Sequence, residues 1–109
     1  DTSEVVRFFE ARAARGDGTS HQLLASLYER GQMVEQDVCL ALFHYAVAAR
    51  LFKETGTQAE VRVAGERRAT LARTLPIPVV AKIWRQASSW TPNRNRYRCP
   101  HSRGLDKTQ

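Results

Sequence analysis

Apolar side chains recur three or four positions apart through most of this chain, with polar residues between them. That spacing gathers them on one face of a helix, whereas a half-buried strand would need alternation. Val5, Val6, Phe9 and Ala13 mark a first helix over about residues 4–15, with Thr2 or Ser3 placed to cap it and Gly16-Asp17-Gly18 to end it. Leu23, Leu24, Leu27 and Tyr28 mark a second, from Thr19 or Ser20 to Arg30, with Gly31 as a left-handed stop. Asp37 is placed to cap a third, from Val38 to about Lys53. There Leu42, Tyr45, Ala49 and Phe52 share a face, and Ala41, Ala46 and Ala48 leave room for a close neighbour.

Gly56 breaks that helix, and a fourth follows over about residues 58–74 with Val61, Ala64, Leu71 and Leu75 on one side. Pro76 and Pro78 interrupt the chain. Pro78 suits the first turn of a fifth helix, where a missing N–H costs little. Val79, Val80, Ile83, Trp84 and Ala87 form its stripe, which ends at Trp90. After Thr91-Pro92 the periodicity stops, and a remainder rich in Asn, Arg and Pro reads as an extended or disordered tail. No run alternates with period two, so the spacing predicts an all-α chain of about five helices: a helical domain over 1–90 and a basic tail over 91–109.

Length and charge sharpen this picture. A chain of 109 residues suits one small domain, and no apolar run approaches a membrane span. Beginning at Asp1, it reads as a fragment or a processed product. The net charge of +6 is uneven: residues 1–90 hold 12 Lys and Arg against 10 Asp and Glu, and residues 91–109 hold 5 against 1. A nearly balanced body argues against a broad nucleic-acid-binding face on the folded part. Two cysteines are too few for a disulfide framework. Cys39 reads as a small buried apolar residue; a single bridge to Cys99 and a pair of thiols both fit the sequence.

The first and third helices are similar at an offset of 36 residues: Phe8-Phe9 aligns with His44-Tyr45 and Ala13 with Ala49. An aromatic there fills the space between paired helices, and the small residue four positions on admits the next helix. Such a pair cannot bury its own face, so stacked neighbours are needed. Residues 16–49 resemble one unit of the Sel-one-like repeat (SLR) family, a relative of the tetratricopeptide repeat. The resemblance is carried without a gap by Gly16, Asp17, Leu24, Leu27, Tyr28, Gly31, Val34, Gln36, Asp37, Ala41, Tyr45, Ala48 and Ala49. Phe8 to Arg15 resemble the end of a preceding unit, and 64–90, with Leu75 and Trp90, a closing segment. Ala25 and Met33 stand where the family has glycine, and His44 where it has tryptophan; these departures suit a divergent terminal unit. The resemblance implies antiparallel helix pairs stacked as a short α-α solenoid at the C-terminal end of a repeat array. It also implies a soluble, bacterial, non-enzymatic adaptor or scaffold that needs no cofactor and binds another protein or peptide segment; compartment and oligomeric state stay open.

In that family the first helix of each pair lines the concave surface. Carried over, those positions are Thr19, Gln22, Ser26, Glu29 and Arg30, with Arg62 and Glu66 extending the lining from the fourth helix. The alternative reading places function in the tail, where Arg94, Arg96 and Arg98 surround Tyr97. Such a segment would neutralise phosphates of a nucleic acid or another anionic surface while the ring stacks on a base. Catalysis and metal binding have little support. His21, His44 and His101 fall on two helices and the tail, and His44 occupies an aromatic packing slot. Cys39 and His44 do not share a helix face, and Cys99 with His101 supplies at most two of the four ligands zinc needs.

Overall fold

Ten residues of the third helix are buried, including the unbroken run 45–49. A helix apolar over so much of its circumference must be surrounded, and three of the other helices are arranged around it. The structure is a computed structural model describing residues 2–93, 97 and 99. In chain order it comprises α1 (Thr2–Ala14), α2 (Gly18–Arg30), α3 (Val38–Thr55), α4 (Gln58–Ala72) and α5 (Ile77–Ser89). The fold is all-α, with no strand among the described residues. Helix α3 packs against α2, α4 and α5, while α1 packs against α2.

Local chemistry sets the boundaries. Thr2 and Ser3 lie inside α1 rather than capping it, and Ser3 accepts hydrogen bonds from the Arg7 guanidinium. Gly16, at φ +101°, turns the chain, and α2 begins two residues later with no side-chain cap. Gly18 in its first turn lies so close to Phe52 that a Cβ would come within 2.9 Å of that ring. Gly31 ends α2 in the left-handed conformation with its N–H on the Leu27 carbonyl, 2.8 Å away. Met33 also adopts a positive φ, 66°, a backbone state that strains a side chain other than glycine. Asp37 caps α3 by accepting the Leu40 N–H, and Thr57 with Glu60 forms a reciprocal capping box on α4. Helix α4 stops at Ala72 because the backbone N–H and hydroxyl of Thr74 both close on the Leu71 carbonyl.

Burial refines the apolar stripes. Leu24, Ala25, Leu42, Tyr45, Val47, Ala64 and Ile83 are completely buried, and Ala13 and Ala49 nearly so. Phe9, Tyr28 and Trp84 are only half-buried, and Val5 and Leu23 stay largely exposed. Ser20 and His21 are the buried polar residues of α2.

Four ties close the structure. The Arg50 guanidinium on α3 donates to the carbonyls of Ala87 and Trp90, 2.8 and 2.7 Å away, supplying the cation that the last turn of α5 lacks. Beyond α5, the Asn93 N–H bonds to the Ala14 carbonyl at 2.7 Å. Further on, Cys99 is disulfide-bonded to Cys39 in the first turn of α3, with Cα atoms 6.0 Å apart. Tyr97 stacks on Phe43, with ring centroids 4.0 Å apart.

Complete burial of Tyr45 predicts that Tyr45→Ala lowers stability by about 3–5 kcal/mol. Half-buried Tyr28→Ala should cost less, about 1–2 kcal/mol; urea midpoints measure the difference. The Cys39–Cys99 bond closes a loop of sequence separation 60, so reduction or a Cys39→Ser/Cys99→Ser pair should remove about 4 kcal/mol. Denaturation with and without reductant measures this, and an unchanged midpoint would contradict it.

Candidate functional site

Helices α2 and α4 both lie on α3 without packing closely on each other, and the gap between them is an open groove of about 460 Å³. Thr19, Gln22, Leu23 and Ser26, three and four residues apart on α2, form one wall. Ala59, Val63 and Arg67, four apart on α4, form the other together with Glu60, and Tyr45 and Phe52 of α3 make an aromatic floor. The Tyr45 hydroxyl donates to the Glu29 carboxylate at 2.7 Å. Burial, then the Glu29 bond and charge, push its pKa up to about 12, so the phenol stays a neutral donor through the physiological range.

Three of the positions named from the sequence, Thr19, Gln22 and Ser26, line this groove. Glu29 stands one turn further along α2, anchoring Tyr45 and accepting the Gln36 side-chain amide at its own carbonyl. Arg30 is exposed in the last turn, outside the lining. Arg62 and Glu66 are exposed and do not line it either. At about 100° per residue they fall nearly opposite the buried Ala64, so α4 presents Val63 and Arg67 instead. The α4 stripe carries this placement: Ala64 and Leu71 define the core direction, and Val63 and Arg67 lie to one side of it.

The structure also joins two histidines that sequence reading kept apart. The Nδ1 atoms of His21 and His44 are 3.0 Å apart. Trp90 meets the His21 ring edge-on at 4.9 Å, and Tyr28 stacks on His44 at 6.0 Å. His44 thus fills the aromatic slot expected of it, while His21 completes a buried cluster between α2, α3 and the end of α5. With one imidazole donating and the other accepting, one proton bridges the two Nδ1 atoms, while the buried Nε2 of His21 makes no hydrogen bond among the described residues. Burial pushes His21 down to about 4, against the opposing pull of the Ala13 carbonyl and the Asp17 charge. Burial, and then His21 itself, push His44 down to about 3. Ser20 directs its hydroxyl to Asp17 rather than to an imidazole, and that bond leads the causes holding the Asp17 carboxyl below its usual range. Among the described residues, no three His, Cys, Asp or Glu side chains come together as a metal site.

Of the tail positions, Tyr97 is half-buried, with one ring face on Phe43 and its hydroxyl 3.7 Å from the Cys39 sulfur. Burial and then Asp37 push its pKa up to about 12. Arg94, Arg96 and Arg98 lie outside the described residues, as does His101. No helix among the described residues is long and apolar enough to cross a membrane. Comparison with protein-family models, curated proteins and solved structures finds no match.

The histidine pair predicts a definite pH dependence. Both folded-state pKa values lie below the ordinary 6.5, so the unfolded chain binds more protons and stability is fully present above pH 6.5. It should fall as the pH drops from there toward 4 and below, by on the order of 3 kcal/mol for His21 alone. Urea midpoints across pH 3–8 test the sign, and His44→Phe, which removes the facing imidazole, should flatten the curve.

Proposed function

We propose that this chain is a non-enzymatic protein-interaction module of the Sel-one-like, tetratricopeptide-like kind, which seats a segment of a partner protein in the groove between α2 and α4. The observation that carries this reading is the groove's composition. Small polar side chains of α2 and a mixed Val63–Arg67 face on α4 stand over an aromatic floor held by the Tyr45–Glu29 bond. Above that buried floor the walls offer a partner apolar contact from Leu23 and Val63 and polar groups from Thr19, Gln22, Ser26 and Arg67. The resemblance of residues 16–49 to one repeat unit supports it, since that family uses the face on which Thr19, Gln22 and Ser26 lie. The burial of Ala13 and Ala49, 36 residues apart, and the positive φ of Met33, where the family has glycine, fit the same reading. The module works in an oxidising compartment, where a bond such as Cys39–Cys99 persists.

The test is an affinity capture from the native extract with nuclease present, comparing the intact chain with two variants. Gln22→Arg/Val63→Arg fills the groove with charge from positions that contribute nothing to the core. Arg94→Gln/Arg96→Gln/Arg98→Gln discharges the tail and keeps Tyr97 and Cys99. A defined protein retained by the intact chain and the tail variant, and lost by the groove variant, is the expected result. Retention that survives the groove substitutions and disappears with the tail arginines or with nuclease would move function to the tail.

A further inference from the structure

A second hollow opens on the opposite side of α4. Helices α4 and α5 both pack on α3, but their backbones stand apart, and the cleft between them measures about 450 Å³. Its walls carry three cations, Arg50 and Lys53 from α3 and Arg68 from α4, together with Trp84 and Ser88 of α5. Among the described residues, no carboxylate lines it. Glu54, one turn from Arg50 along α3, is exposed and makes no ion pair with it; the one ion pair within 4 Å among the described residues is Arg12–Asp17, on another face.

Like charges gathered in a concavity repel one another, and the surroundings offset only part of that repulsion. Arg50 spends part of its guanidinium on the carbonyls that end α5. Arg68 lies over the Trp84 ring, 5.3 Å from its centroid, where the ring face favours a cation. A helix C-terminus contributes only about half a negative charge, and that of α3, in whose last turn Lys53 sits, is the support it has. Two of the cations are thus held in fixed positions, while the positive potential of the cleft stays largely uncompensated. Held guanidinium groups beside an ammonium and a hydroxyl are the donors that bind oxyanions.

We propose that the α3–α4–α5 cleft is an anion site that takes a phosphate group of a small phosphate ester or a lipid headgroup. Arg68 and Lys53 contact the phosphate oxygens, Ser88 donates at the rim, and Trp84 forms the apolar wall against which the rest of the ligand lies. The site is separate from the α2–α4 groove, so its occupancy and partner capture are independent readings.

The test uses the intact, disulfide-bonded chain and inorganic pyrophosphate as probe, at about 0.15 M salt to screen diffuse attraction. The readout is tryptophan fluorescence, to which Trp84 contributes directly. A saturable change that an equal ionic strength of chloride does not reproduce is expected. Lys53→Gln and Arg68→Gln should each weaken it by about tenfold, the loss of one charge-assisted contact. Ser88→Glu, on an exposed position, places a carboxylate at the rim and should abolish binding while leaving the melting midpoint unchanged. A parallel arm uses vesicles of phosphatidylglycerol in phosphatidylcholine. Saturable pyrophosphate binding sensitive to the three substitutions assigns a soluble phosphate, and sensitivity seen only on vesicles assigns a lipid headgroup. Binding absent from both arms, or indifferent to Lys53, Arg68 and Ser88, overturns the proposal.

Discussion

Helices α2, α4 and α5 are placed by the need to bury α3. Its apolar residues occupy more than one stripe: Leu42, Tyr45 and Ala49 face one way, while Phe43, Ala46 and Val47 face others. A helix of that kind is satisfied only when neighbours cover several sides at once. Helices α2, α4 and α5 supply that cover, and the Cys39–Cys99 bond ties the residues after α5 to its first turn. Three helices leaning on a common fourth do not have to touch one another. Both hollows follow from this. One lies where α2 and α4 diverge and the other where α4 and α5 diverge, and α3 is the floor of each.

The two hollows differ because the faces of α4 differ. Ala64 and Leu71 point to the core; Val63 and Arg67 turn to one side, and Arg68 turns to the other. The polar interior has a similar logic. Burying His21 against His44 and Trp90 favours uncharged imidazoles, one donating to the other, and so ties packing between α2 and α3 to Trp90 at the end of α5.

The helices were legible in the sequence because their signals are local: an apolar period near 3.6, the Asp37 cap, Gly31 as a left-handed stop and Pro76 as a barrier. Boundaries moved by a residue or two where a local bond intervened, as with Thr74 at the end of α4. The α2 wall of the groove was legible through the repeat resemblance, which named Thr19, Gln22 and Ser26. The α4 wall is less legible, because the resemblance points to Arg62 and Glu66, which lie nearly opposite the buried Ala64, while Val63 and Arg67 line the groove. The histidine contact, 23 residues apart in sequence, has no period or spacing to betray it. The disulfide stays one of two options for the same reason: Cys99 lies beyond the last apolar stripe, 60 residues from Cys39, and no local pattern joins them.

The central claim is that the gap between α2 and α4 holds a partner, and photo-cross-linking from single positions measures it most directly. A photoreactive residue at Gln22 or at Val63, on the two facing walls, should join covalently to the same partner segment. One at Ile77, 84% exposed at the start of α5 and outside the groove, should not. Cross-links from both walls and none from position 77 are the predicted result. Cross-links from position 77 alone, or equal yields from all three, would contradict the claim.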